Sequence, residues 1–304
     1  MTEQEESQLA SAVLMIRPVR FASNPLTAAS NRFQGRNPDE PAQQQRDAER
    51  EFDGLREALM AAGIDVVVVP DTLEPEKPDA VFPNNWVSFH ADGTVVMYAM
   101  LAPNRRTERR PDIIETLVRD HGFLVRDVVD LSCHEADGNF LEGTGSLVLD
   151  RVHRVAYTCL SPRTMPDALG DFSRRLDYEV VAFDAVDRNG TPVYHTNVMM
   201  NVGEKTAVIC AEAIPDDGQR DAVLARLHVT GHDVIEIRMD QMESFAGNML
   251  ELRAASGNTL IAMSEQARRS LDGDQLAELA RNATIVSAPI EHIERSAGGS
   301  VRCM

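Results

Sequence analysis

The chain has 304 residues, of which 43% are hydrophobic and 26% are charged, a composition typical of a soluble globular protein. Its formal net charge of −18 repels phosphate backbones, so nucleic-acid binding is not expected. No apolar run approaches the roughly 20 residues that a membrane helix needs, and the acidic first residues are unlike a secretory signal. We therefore expect a cytoplasmic protein that binds neither membranes nor nucleic acids.

Hydrophobic periodicity predicts a β-β-α-β unit that recurs along the chain. The first unit is incomplete, with a strand at 13–19, a helix at 43–62 and a strand at 64–70. Between its first strand and helix lies a stretch at 24–41 without helical or strand periodicity, and loops of this length are often lids. A plain surface connection is the alternative interpretation.

Four complete units follow, each with a hairpin, a helix and a final strand. The hairpin strands, the helix start and the final strand fall at 81–90, 94–100, 106 and 123–131; at 140–150, 154–160, 164 and 178–186; at 193–202, 206–214, 216 and 233–238; and at 245–254, 259–263, 264 and 284–290.

The four Arg residues where the second unit's helix begins, Arg105, Arg106, Arg109 and Arg110, are interspersed with acidic residues. We expect a solvated helix start there.

The first hairpin strands also agree residue by residue. Asn85, Gly145, Asn197 and Asn248 occupy matched positions that recur every 51 to 60 residues, a period typical of radial or solenoid arrays. A strand at 300–304 would complete the first unit and close five units into a ring. Two unrelated α/β domains are the alternative. We predict a single domain at 12–304 after a disordered tail at 1–11.

In such a ring, the equivalent ends of the first strands converge on the axis and define a short list of site residues. The list contains Asp79, Asn84, Asn85, Glu142, His195, Asn197 and Asn248, and Cys303 joins it if the ring closes as predicted.

A thiol, an imidazole and a carboxylate from distant segments meet the needs of covalent catalysis, namely a nucleophile, a proton carrier and a group that orients the imidazole. Gly298 and Gly299 precede Cys303 and allow its backbone to approach a ligand closely. A structural His195 and an incidental Cys303 are the alternative interpretations.

The other three cysteines, Cys133, Cys159 and Cys210, lie in or beside apolar runs, and we expect them to be small buried hydrophobic residues. The four cysteines form no C-x-x-C pair, which argues against a disulfide framework or a zinc knuckle. The histidines form no H-x-x-x-H or H-E-x-x-H pattern, and no nucleotide-binding glycine motif is present. No metal or cofactor is therefore expected.

Five ordered motifs resemble those of the amidinotransferase and arginine deiminase (pentein) superfamily. They are Pro78-Asp79-Ala80-Val81-Phe82, Phe140-Leu141-Glu142-Gly143, Ser161-Pro162-Arg163-Thr164, His195-Thr196-Asn197 and Gly298-Gly299-Ser300-Val301-Arg302-Cys303-Met304. The resemblance implies an α/β fold, a five-bladed α/β propeller built from ββαβ units around a central active site.

The resemblance also implies roles. Cys303 would be the nucleophile, His195 the general acid and base, Glu142 its carboxylate partner, and Asp79 the group that holds the substrate's terminal nitrogens. Arg163 would lie near the substrate's carboxylate end, with a structural ion pair as the alternative. Asn85, Asn197 and Asn248 complete the predicted substrate-binding set through their matched positions.

Within the superfamily, residues 15–19 with Asn24-Pro25, and residues 195–200, look most like the citrulline utilization hydrolase branch. Deiminases that act on guanidinium usually carry His-x-Asp where this chain has Asn197. A carboxylate only accepts hydrogen bonds, whereas an amide also donates, and a ureido oxygen needs a donor. We therefore expect citrulline to be hydrolysed to ornithine, ammonia and carbon dioxide.

The alternatives are an arginine or methylarginine deiminase-type hydrolase, an amidinotransferase, and a non-catalytic amino-acid-binding ring. A small-molecule amino acid is the expected partner, and the sequence leaves open whether the chain forms a homodimer.

Overall fold

The computed structural model describes residues 6–35 and 37–304. Within them, the strands form one two-stranded sheet and four three-stranded sheets. The two-stranded sheet pairs β1 (Ala12–Arg17) with β2 (Asp65–Pro70) in parallel. The other sheets contain β3 (Val87–Phe89), β4 (Thr94–Met97) and β5 (Asp127–Asp130); β6 (Val148–Asp150), β7 (Val155–Cys159) and β8 (Glu179–Phe183); β9 (Met200–Val202), β10 (Thr206–Ile209) and β11 (Asp233–Glu236); and β12 (Leu250–Arg253), β13 (Thr259–Ser264) and β14 (Thr284–Ala288).

Each three-stranded sheet has the same topology. Its first two strands form an antiparallel hairpin, and its third strand pairs in parallel with the second after a crossover. A parallel pair needs such a crossover, and here each one contains a helix. The predicted β-β-α-β units and the α/β fold class are confirmed.

The longer helices supply the outer layer. The helices are α1 (Pro25–Ala28), α2 (Pro41–Ala61), α3 (Pro111–His121), α4 (Gly143–Ser146), α5 (Pro166–Leu176), α6 (Thr196–Met199), α7 (Asp217–Val229), α8 (Met239–Glu243), α9 (Glu265–Ser270), α10 (Gly273–Asn282) and α11 (Glu291–Ala297). The helix α2 buries Phe52, Leu55 and Leu59 in a core shared with the last sheet. The helix α11, which the hydrophobic pattern does not predict, leads directly into Gly298.

Short turns before the first strands of the sheets form the inner ring. They are the 3₁₀ turn Pro83–Asn85, the helices α4 and α6, and a turn at 244–247. Successive turns touch so closely that side chains are excluded, since a Cβ atom at Gly143 would lie 2.1 Å from Asn84 O. The axis is therefore lined by turns rather than by strands.

The last segment closes this ring, but not as a strand. Val301–Cys303 is a 3₁₀ turn, and the first sheet keeps two strands, so the strand predicted at 300–304 is wrong. The segment corresponds instead to the turn that precedes each first strand. It meets the second unit at Gly299, where a Cβ atom would lie 2.8 Å from the Phe82 ring. The predicted position of Cys303 at the centre is confirmed.

The predicted disordered tail differs from the structure where both can be compared. Residues 1–5 lie outside the described part of the chain. The prediction is wrong for residues 6–11, because the Gln8 side chain donates hydrogen bonds to Leu149 O and Val202 O, both at 2.9 Å. Ala10 also forms a parallel bridge with Leu252. One amide that donates twice thus fastens this segment to two neighbouring sheets.

Among the described residues, no helix is both long and apolar enough to cross a membrane. The cytoplasmic location stays a prediction.

Candidate active site

A small pocket lies where the inner turns meet. Its volume is about 10 Å³, which is room for about one water molecule. The lining residues are Thr27, Asn31, Asp79, Phe82, Asn85, Arg105, Arg163, Tyr194, His195, Ala297, Gly298, Gly299 and Cys303. Five of the eight residues predicted for the site line it. Of the other three, Glu142 lies directly behind His195, whereas Asn197 and Asn248 lie behind Cys303.

His195 and Glu142 form a buried pair. His195 Nε2 lies 2.8 Å from Glu142 Oε2, and because a carboxylate only accepts, Nε2 carries the proton and donates. The other ring nitrogen, Nδ1, is left as the basic atom. Burial lowers the pKa of His195 to about 4, against the opposing effect of Glu142. The imidazole is therefore neutral near pH 7 and able to accept a proton.

Glu142 is held as a carboxylate by its neighbours. Burial raises its pKa, but the charge of Arg163 and the bond from His195 outweigh this effect and hold the pKa well below its usual range. Arg163 Nη1 lies 3.3 Å from Glu142 Oε2, and Leu101 N donates to Oε1 at 3.0 Å. Glu142 is thus ready to stabilise an imidazolium on His195.

Cys303 is 3% exposed and borders the same pocket as His195. Burial raises the pKa of its thiol, and nearby donors oppose the rise. Two of these donors are side-chain amides, Asn197 Nδ2 and Asn248 Nδ2, each 3.4 Å from the sulfur. Such donors stabilise a thiolate once it forms.

Asn248 holds the turn that carries Cys303 rather than facing the pocket. Its Oδ1 accepts from Arg302 N at 3.1 Å, and its Nδ2 donates to Asn197 O at 2.9 Å. Asn197 is fully buried, and its Oδ1 has no hydrogen-bond partner among the described residues.

Asp79 presents a free acceptor to the pocket. Its Oδ2 accepts from Asn24 Nδ2 at 2.7 Å, whereas its buried Oδ1 has no partner among the described residues. Thr27 Oγ1 lies 3.4 Å from Oδ2. Asp79 is thus bound on one side by the segment at 24–35 and open on the other.

The same segment covers the pocket through Arg163. Arg163 Nη2 donates to Thr27 O at 3.1 Å and to Ser30 Oγ at 2.8 Å, and its Nε also contacts Ser30 Oγ. Asn31 Nδ2 donates to Ala297 O at 3.0 Å. The structure therefore shows the ion-pair alternative for Arg163, with its donors used by Glu142 and the cover.

Arg105 and Glu108 are functional-site residues that the sequence interpretation missed. The expectation of a solvated helix start is wrong for both, since each is 2% exposed. Arg105 makes a bidentate pair with Glu108, with two N–H···O contacts of 2.9 Å. It also donates to Asn85 Oδ1 at 2.8 Å and lies 3.7 Å from Asp79. The opposite charges three residues apart were the available signal, but such pairs are also common on exposed helices.

The Arg105 contact fixes the orientation of the Asn85 amide. Because a guanidinium only donates, the amide oxygen of Asn85 must face Arg105. Its Nδ2 is buried and has no partner among the described residues. The pocket thus holds one unpaired acceptor, on Asp79, and one unpaired donor, on Asn85.

The remaining cysteines are free thiols outside the pocket. Burial raises the pKa of both Cys159 and Cys210 to about 12, which makes them poor nucleophiles. Cys133 is exposed, so the prediction that it is buried is wrong. It lies in the 3₁₀ turn Ser132–Asp137, which the pattern did not distinguish from the preceding strand.

One group of described residues has the spacing of metal ligands, and it lies away from the pocket. It consists of Asp39, Asp47 and His292. Arg50 already lies 2.7 Å from Asp47, and Arg295 lies 3.3 Å from Asp39. These arginines compensate the carboxylates, so no metal is assigned.

The chain matches the family model described as "N,N dimethylarginine dimethylhydrolase, eukaryotic" over residues 17–304. It belongs to this family. Family members hydrolyse C–N bonds of amidino groups, and the chain is an enzyme of this class. No curated protein matches the chain in sequence.

Solved structures with the same fold agree with this assignment. The N-terminal domain of ArgZ bound to its product, an arginine dihydrolase from the ornithine-ammonia cycle in cyanobacteria, has a TM-score of 0.71 at 18% identity, covering 97% of this chain and 96% of that one. Apo ArgZ gives 0.72 at 20%, covering 96% of this chain but only 40% of that chain. Dimethylarginine dimethylaminohydrolase, as an adduct with S-methyl-L-thiocitrulline, gives 0.64 at 17%, covering 97% and 98%. The five-bladed pentein fold is thereby confirmed.

Proposed function

We propose that the chain hydrolyses the ureido group of citrulline through a covalent adduct on Cys303. The observation that carries the proposal is the pair of unpaired polar atoms in the pocket, the acceptor Asp79 Oδ1 and the donor Asn85 Nδ2. A ureido group offers an NH₂ donor and a carbonyl acceptor, so it satisfies both. A guanidinium offers donors only and leaves the Asn85 donor unpaired, which costs about 1–3 kcal/mol.

The charges around Asp79 support the same substrate. Arg105 lies 3.7 Å from this carboxylate and Arg163 borders the same pocket, both fully or nearly fully buried. A guanidinium bound beside Asp79 would meet two like charges at low effective dielectric. A neutral ureido group avoids that repulsion.

In the first half of the reaction, His195 Nδ1 accepts the Cys303 proton, and Glu142 stabilises the imidazolium. The thiolate attacks the ureido carbon, and Asn197 and Asn248 donate to the sulfur while it is charged. The imidazolium returns a proton to the terminal nitrogen, which departs as ammonia and leaves an S-carbamoyl adduct bearing the ornithine chain.

In the second half, neutral His195 takes a proton from water, and the resulting hydroxide attacks the adduct carbon. The C–S bond breaks and the Cys303 thiol is restored. The carbamate that is released loses carbon dioxide to give ornithine. The sum is citrulline and one water to ornithine, ammonia and carbon dioxide, with no oxidant or metal consumed.

A second candidate is hydrolysis of arginine or a methylated arginine by the same covalent step. The match to the dimethylarginine dimethylhydrolase family model favours it. The two candidates predict different products, which a direct assay separates.

The test is parallel incubation with citrulline, arginine and asymmetric dimethylarginine, followed by assay of ornithine, citrulline and ammonia. We expect the highest kcat/KM with citrulline, and ornithine as the product. Higher kcat/KM with either guanidino compound, with citrulline accumulating, would establish the second candidate instead.

A matched pair of variants tests the carrying observation. Asn85→Asp replaces the pocket donor with an acceptor, so we expect the citrulline to arginine ratio of kcat/KM to fall by about tenfold or more. Asn84→Asp is the control, because Asn84 is the next residue but does not line the pocket. Equal ratios in the two variants would remove Asn85 as the determinant.

A further inference from the structure

A second and much larger cavity lies on the other side of the turn that carries Cys303. Its volume is about 550 Å³, within the range of about 300–1,000 Å³ typical of small-molecule sites. Val301, Arg302 and Met304 line it, whereas Cys303 lines the active-site pocket. The two spaces share no lining residue. The cavity is thus separate from the site already described.

Most of the cavity wall is apolar. Side chains of the inner strands supply it, including Val13 and Met15 of β1, Phe89 of β3, and Leu250 and Leu252 of β12. A wall of this kind favours a ligand with a hydrocarbon body. Residues 6–12 also line the cavity and lie across it, fastened through Gln8.

Arg302 brings a positive charge to this apolar space. Its Nη1 donates to Met249 O at 3.3 Å, and its buried Nε has no partner. Among residues 6–35 and 37–304, no carboxylate forms a salt bridge with it. Burial lowers the pKa of Arg302 to about 10, which still leaves it charged near pH 7. An uncompensated charge in an apolar setting is costly unless a ligand pairs with it.

The other charged groups facing the cavity are already committed. Arg151 lies 2.8 Å from Glu6, and Glu251 accepts from Glu204 N at 3.1 Å. The side-chain amide of Asn84, also in the lining, has no hydrogen-bond partner among the described residues. The cavity therefore offers one unpaired cation and one unpaired amide beside an apolar wall.

We propose that this cavity is a binding site for a monocarboxylate with an apolar body, whose carboxylate pairs with Arg302. The planar guanidinium matches a carboxylate with two parallel hydrogen bonds. The Asn84 amide can donate to the same group. The hydrocarbon part lies along the inner strands under residues 6–12.

The experiment is calorimetric titration of the full chain with octanoate, octanol and octylamine. Octanoate should bind and the amine should not, because Arg302 repels it. Arg302→Gln should weaken octanoate binding by at least about tenfold, Arg302→Lys by less, and the exposed control Arg281→Gln should leave it unchanged. Octanoate affinity that is equal in wild type and Arg302→Gln, or matched by octanol, would overturn the proposal.

Two further titrations locate the bound octanoate. Binding should persist after Cys303 is alkylated with 2-chloroacetamidine, and loss of binding would place the ligand in the active-site pocket instead. A chain lacking residues 1–5 should bind octanoate as the full chain does. Binding that appears only after this deletion would mean that the chain's own glutamates occupy the site, which contradicts a ligand site.

Discussion

At the scale of single residues, the buried state of His195 determines when the enzyme can work. Burial lowers its pKa to about 4 from the ordinary 6.5. We expect kcat/KM to fall below about pH 4, when the imidazole becomes protonated and can no longer accept a proton, rather than near pH 6.5. The measurement is the pH profile of kcat/KM with short exposures to acid.

The same shift makes His195 a source of acid sensitivity in folding. Because its folded pKa lies below the unfolded value, the unfolded chain binds more protons between about pH 6.5 and 4. Its contribution to stability is therefore complete above pH 6.5 and is lost as the pH falls toward 4. Circular dichroism at each pH separates this loss from the kinetic limb, and an activity limb near 6.5 in folded enzyme would contradict the buried neutral imidazole.

We expect His195 and Glu142 to act as one unit, since their atoms lie 2.8 Å apart and Glu142 stabilises only a charged imidazole. His195→Ala and Glu142→Gln should each lower kcat by about 10²–10⁴-fold, and the double variant should lose little more than His195→Ala. Losses that multiply in the double variant would show independent roles.

Asn197 tests substrate choice from behind the nucleophile. Asn197→Asp should lower kcat/KM for citrulline by roughly tenfold or more and shift the preference toward arginine. The structure adds a reason for a general loss of rate, because Asp removes the donor 3.4 Å from Cys303 Sγ and places a negative charge there. The ratio of the two kcat/KM values is therefore the informative quantity, and an unchanged ratio leaves Asn85 as the determinant.

At the scale of elements, the segment at 24–35 determines access to the pocket. A pocket of about 10 Å³ cannot admit an amino acid until this cover moves, and the cover is held by Arg163. We expect trypsin to cut at the exposed Arg32 in free enzyme, and the covalently alkylated enzyme to be protected. Equal cutting in both states would favour a plain surface connection. Ser30→Ala, which removes two Arg163 contacts, should speed the cutting.

The elements show which structural features periodicity can and cannot give. The strands of the hairpins were predicted within a few residues because their alternation is long enough to read. The inner turns were absorbed into those strands, since an apolar turn such as α6 has too few residues to show a helical period. Arg105 was missed for a similar reason, because a buried ion pair and a solvated one have the same sequence spacing.

At the scale of the whole molecule, the repeat carries the site. Because equivalent turns of a ring must meet on its axis, the matched positions brought Asp79, Glu142, His195 and Cys303 together in the prediction as they are in the structure. What covers or surrounds the axis does not repeat. The cover at 24–35, the residues at 6–11 and the large cavity arise from unique segments, so no internal comparison could reveal them.

The most direct measurement is mass spectrometry of enzyme inactivated by 2-chloroacetamidine, whose amidine group directs it to the substrate pocket. We predict one label, on Cys303, with loss of activity in proportion to labelling, and no such label in folded Cys303→Ser. The exposed Cys133 serves as an internal control for undirected alkylation. Inactivation with the label on Cys133, Cys159 or Cys210, and Cys303 unmodified, would contradict the assignment of Cys303 as nucleophile.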